Sequence, residues 1–106
     1  MERANPRTNY RCLLAEAMRS VVGSVPIFDN APAGTREIRM TVRTAAITMA
    51  GPAGGIPVTA TTTVGLDFAV NSASSPYVIE ITQSEARKMR AIQNGGTAAG
   101  YIEYWG

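Results

Sequence analysis

The sequence predicts an all-β fold: an antiparallel β-sandwich, jelly-roll-like, with an N-terminal arm and one short helix. Three observations carry that prediction. Beyond Gly34 apolar side chains recur at every second position, the period of a half-buried strand. Turn clusters rich in Gly, Pro, Asn and Ser interrupt the chain at roughly the eight-to-twelve-residue spacing of two-sheet folds. Leucine occurs only at 13, 14 and 66, whereas Val and Ile, which suit a pleated surface, are plentiful.

The chain divides into residues 1–28, an arm that carries a helix, and residues 29–106, the sandwich domain. Residues 1–7 are polar and charged, interrupted by Pro6, and have no core contacts of their own to make. Thr8 fits a helix N-cap, and Tyr10, Leu13, Leu14, Ala17, Met18 and Val21 recur on one helical face before Gly23 stops the pattern, which predicts a helix over about 9–22. An extended arm is the alternative, because Val21 to Phe28 leans toward β structure.

Asp29 to Gly34 is a turn cluster. Ile38, Met40 and Val42 then alternate with Glu37, Arg39, Thr41 and Arg43, and Ile47 and Met49 share a face of a second strand that ends at Gly51-Pro52. Alternation resumes at Val58 and runs to Val70, longer than an ordinary strand, so a bend is expected near Gly65. Tyr77, Ile79 and Ile81 mark the next strand. Thr82-Gln83-Ser84-Glu85 has capping-box spacing and opens a short helix. Met89 to Gln93 either prolongs that helix or, across Asn94-Gly95-Gly96, forms a terminal hairpin with the strand Ala99 to Trp105; the turn signal favours the hairpin.

Composition narrows function by removal. The 106 residues include no histidine and one cysteine, Cys12, while Lys88 is the sole lysine. Imidazole acid–base chemistry, histidine metal ligation and disulfides within the chain are therefore excluded. Cys12 lacks a base partner and reads as an inert thiol. Gly51-Pro52-Ala53-Gly54-Gly55 lacks the Lys-Ser or Lys-Thr of a phosphate-binding loop. Glu37, Glu80 and Glu103 fall on the polar side of their strands, as solvated residues or cross-strand partners of Arg39, Arg43 and Arg90, and Asp67 reads as an outward or strand-end residue. No catalytic residue, metal ligand or cofactor is expected.

The net charge is +2 and the pI about 9.0, a weak field for nucleic acid, and the basic cluster Arg87-Lys88-Met89-Arg90 has no interleaved aromatics. A small nucleic-acid-binding or regulatory module is the alternative of another class. Arginine in place of lysine suits protein–protein surfaces, although codon usage in a GC-rich genome produces the same skew. The start of the chain lacks an apolar signal region, so synthesis in the cytoplasm is expected. Residues 44–66 are uncharged until Asp67, yet Gly and Pro break any membrane-spanning helix there. Tyr101, Tyr104 and Trp105 place aromatics on both faces of the last strand, which an isolated subunit would leave partly exposed. With Arg3, Arg7 and Arg11 of the arm they are the expected interface residues.

Pro32-Ala33-Gly34 leads into Arg36-Glu37-Ile38-Arg39; Pro57 to Gly65 is Thr- and Val-rich; Ser84 to Ile92 is a basic and apolar segment; the end is aromatic and glycine. In this order the chain resembles small β-sandwich structural proteins of tailed bacteriophage particles, those that decorate or cement the head or join parts of the tail. The likeness covers about residues 29–106 and lies in pattern. It implies a virion protein made in the host cytoplasm, self-associating, often as a trimer, and docking onto a capsid or tail protein of the same particle. A head decoration protein is the first expectation, and a tail, neck or fibre-adaptor component the alternative within that class.

Overall fold

A computed structural model describes residues 10–21, 23–52, 65–70, 76–94 and 96–106. Eight strands and one helix follow in order: β1 Cys12–Val21, β2 Val25–Pro26, β3 Glu37–Arg43, β4 Ala46–Ala50, β5 Leu66–Phe68, β6 Tyr77–Glu80, α1 Gln83–Ala86, β7 Arg90–Asn94 and β8 Ala98–Trp105. They form two four-stranded sheets, ordered β1-β8-β3-β6 and β2-β7-β4-β5, with every pairing antiparallel. The pairs β1/β8, β2/β7, β3/β6 and β4/β5 are those of one long folded hairpin; rolling it up adds β8/β3 and β7/β4. This is the jelly roll, a sandwich of two Greek keys.

Alternation places the core. Ile38, Met40 and Val42 of β3, Ile102 and Tyr104 of β8, and Met18 and Val21 of β1 face Ile47 and Met49 of β4 and Ala91 of β7, all buried. Phe28 fills the connection between β2 and β3 and meets the Tyr104 ring edge-on at 6.4 Å. At the β5/β6 side Phe68 and Tyr77 stack edge-on at 4.8 Å across the two sheets, and the Tyr77 hydroxyl accepts from the Ala69 N–H at 2.9 Å.

The N-terminal segment is corrected by the structure. Residues 12–21 are a strand, not a helix, and β1 and β2 belong to the sheets rather than to an arm. The β1/β8 register carries two irregularities. Two steps on β1, from Cys12 to Leu14, match one on β8, and three steps, from Met18 to Val21, match two. Each inserted residue turns the side chains to the other face, and the second leaves Met18 and Val21 buried three positions apart, a spacing that a helix would also bury, whereas Leu13, Leu14 and Ala17 of the helical pattern are exposed. The terminal hairpin is corrected as well. β7 lies in the second sheet and β8 in the first, so each delivers its apolar side to the common core from opposite layers.

The remaining expectations lie close to the observed elements. Gly65 bends the chain ahead of β5 at φ +140°, and a Cβ there would stand 2.5 Å from the Met49 carbonyl oxygen. Residues 58–64 of the long alternating run lie outside the described residues. Thr82 is the N-cap of α1, but its hydroxyl stands 3.4 Å from Ser84 Oγ instead of capping the backbone. Among the described residues no helix is long and apolar enough to cross a membrane.

Candidate interaction surface

The outward face of the β1-β8-β3-β6 sheet carries two of the six expected interface residues, Tyr101 and Trp105. Register fixes its rows. Ala17, Tyr101 and Thr41 lie side by side, as do Ala15, Glu103, Arg39 and Val78, and then Trp105, Glu37 and Glu80. Ala15, Ala17, Val78 and Tyr101 are exposed, whereas Trp105 and Glu37 are buried on the same face.

Polar contacts organise the buried end. The Glu103 carboxylate accepts from the Tyr101 hydroxyl at 2.9 Å and from Trp105 Nε1 at 3.0 Å. Arg39 Nε donates to Glu37 at 2.8 Å, and its guanidinium lies 4.0 Å from the centre of the Trp105 ring. Charge-assisted bonds of this kind offset the cost of removing carboxylates from water, and a cation over an indole face adds attraction. The result is a hydrogen-bonded cluster beside exposed small, apolar and aromatic side chains.

The expected interface residues separate. Tyr101 faces outward at the exposed end. Tyr104 faces the core, where its hydroxyl donates to Glu16 at 3.2 Å; burial, and after it the Glu16 carboxylate, push its phenol well above the usual tyrosine range. Trp105 faces outward but is fully buried within the chain. The expectation that an isolated subunit leaves these rings partly exposed is therefore corrected for Tyr104 and Trp105, because Glu16 and Phe28 enclose one and Arg39 lies over the other. Arg11 exchanges both backbone hydrogen bonds with Gly106, at 3.1 and 3.0 Å, which fastens the two ends of the described chain together. Arg3 and Arg7 lie outside the described residues.

Arg39, Glu37, Glu103 and Val78 are members of this face that sequence reasoning did not select. Alternation assigned Glu37 and Glu103 to the outward side, but expected them solvated or paired across strands. Glu37 instead pairs with Arg39 two residues along the same strand, and both carboxylates are buried. A signal was present in the close succession of Tyr101, Glu103 and Trp105, alternate residues whose side chains share a face.

Elsewhere the candidate groups have structural duties. Arg87 donates to the Ala31 carbonyl and Arg90 to Ser24, so both arginines of the basic cluster pin the β2 region and the following turn. Asp67 is exposed and accepts from Thr48 at 2.8 Å. Cys12 is partly buried on β1. A shallow depression lined by Gly34, Thr35, Arg36, Thr82, Gln83 and Ser84 pairs no nucleophile with a base. Among the described residues no group of three or more Cys, Asp or Glu side chains is placed to hold a metal ion. No protein-family model, curated protein or solved structure matches the chain.

Proposed function

We propose that this chain is a non-enzymatic virion structural protein of the head-decoration or cement type, which docks onto a capsid lattice as a homo-oligomer and ties neighbouring subunits together. The observation that carries the reading is the outward face of the β1-β8-β3-β6 sheet. Its exposed rows are small, apolar or aromatic, through Ala15, Ala17, Val78 and Tyr101, and they adjoin a locked cluster of Trp105, Arg39, Glu37 and Glu103. Tyr101 and Arg39, the accessible aromatic and arginine, are held by Glu103 and Glu37 and so lose little side-chain freedom on contact, the condition for adhesion without chemistry. The jelly roll agrees with a capsid component but hosts many functions, so the weight rests on the face and not on the fold.

The test is co-sedimentation of the purified chain with capsids and, separately, with tails built from the structural proteins of neighbouring genes. Retention on capsids is expected, with Ala17→Arg weakening it about tenfold or more by placing a charge in the apolar row. Retention on tails alone moves the protein to the tail or neck. Salt-sensitive retention on DNA with no particle association contradicts the reading in favour of a nucleic-acid-binding module.

A further inference from the structure

Arg43 and Glu80 mark opposite ends of the same sheet face. Arg43 pairs with Ala99, two steps beyond Thr41 on the outward side of β3; Glu80 pairs with Glu37 at the other end. Six steps along β3, from Glu37 to Arg43, separate those ends, about 20 Å at the ~3.3 Å rise of a strand. Both side chains are exposed, and neither has an ion pair among the described residues. Between them the exposed positions are small, apolar or aromatic, with Ala15, Ala17, Val78 and Tyr101, while Arg39 is engaged with Glu37 and lies over Trp105. A face with an exposed charge of opposite sign at each end, neither ion-paired among the described residues, is complementary to itself once reversed.

We propose that this face pairs with the same face of a second copy, related by a two-fold axis that runs across the strands at the level of Met40, each Arg43 meeting the partner's Glu80. The axis follows from the charges. A two-fold along the strands would stack Arg43 on Arg43 and Glu80 on Glu80. The crosswise axis reverses β3 against its copy, and the Glu80 of β6 then lies one strand spacing, about 4.8 Å, to the side of the opposing Arg43, within reach of an arginine side chain. Alanines in the middle rows allow the ~10 Å separation of packed sheets. The broad side of the molecule measures 36 × 31 Å, room for the ~800 Å² that each partner contributes to a standard interface. Such an isologous contact closes on itself as a dimer. The inference rests on reading this face as the adhesive surface and names a second copy of the chain as what adheres to it, so that the paired copies meet the lattice together, as the homo-oligomer of that reading.

Sedimentation equilibrium of the full chain, at low and at high salt, tests it with four proteins: the unchanged chain, Arg43→Glu, Glu80→Arg, and the double exchange. A dimer is expected that weakens about tenfold or more with either single reversal, recovers in the double exchange, and loosens as salt rises. A monomer at all concentrations, a trimer, or single reversals that leave the dimer intact would overturn the pairing. Co-sedimentation of the same four proteins with capsids and tails separates this inference from the functional reading. An unchanged chain that binds particles as a monomer sinks the pairing alone, whereas a charge-dependent dimer that binds no particle sinks the function alone.

Discussion

Tyr104 and Trp105 adjoin in sequence and serve opposite sides of one sheet. Tyr104 holds Glu16 from within the core, and its raised phenol links stability to pH. A folded-state pKa above the unfolded value of about 10 gives a contribution that is complete below pH 10 and is lost as pH rises beyond it, by up to ~1.4 kcal/mol per pH unit. Urea unfolding between pH 8 and 11.5 should show that alkaline decline in the unchanged chain and a shallower one in Tyr104→Phe. The variant should also be about 1–2 kcal/mol less stable at pH 8. Equal slopes would contradict the link. Trp105 depends on Arg39, whose side chain is 20 % exposed over a Glu37 that is 1 % exposed. Arg39→Met removes both the stack and the buried ion pair and should cost about 2–4 kcal/mol. Arg19→Met, from the exposed pair with Asp29, should cost under about 1 kcal/mol by the same denaturant titration. Alternation told which face Glu37 and Glu103 occupy, but not what lies over that face, so their burial was hidden from a one-dimensional reading.

At the scale of elements, legibility followed register. β3, β4 and β6 have regular alternation and were readable within a residue or so of their ends. β1 was not, because the inserted residue between Met18 and Val21 turns both inward three positions apart, while the apolar Leu13, Leu14 and Ala17 stay exposed and complete a helix-like spacing. Nor was the placement of β7 and β8 in different sheets, since a turn signal marks a reversal without saying whether the returning strand pairs or crosses the core. Glycine supplies a test of the central strand. A Cβ at Gly100 would stand 2.1 Å from the Thr41 carbonyl oxygen, inside the β8/β3 pairing, whereas one at Gly51 meets nothing within 4 Å. Gly100→Ala should therefore destabilise by about 2–3 kcal/mol and Gly51→Ala by less than about 0.5, measured as shifts in denaturation midpoint. Comparable shifts would place β8 in a different register.

Over the whole molecule the fold class followed from period, turn spacing and β-branched composition, because a rolled hairpin needs all three. The face proposed as adhesive was only half visible: Tyr101 and Trp105 share it, whereas Tyr104, one position out of phase, turns into the core. Under the proposed function, what the protein contributes to a particle is adhesion and no reaction. The most direct measurement is the amount of this chain in particles assembled by the genome that encodes it, quantified against the major capsid protein after gradient purification. A fixed stoichiometric ratio, retained through washing at moderate salt, is the predicted result; purified particles without the chain would contradict it.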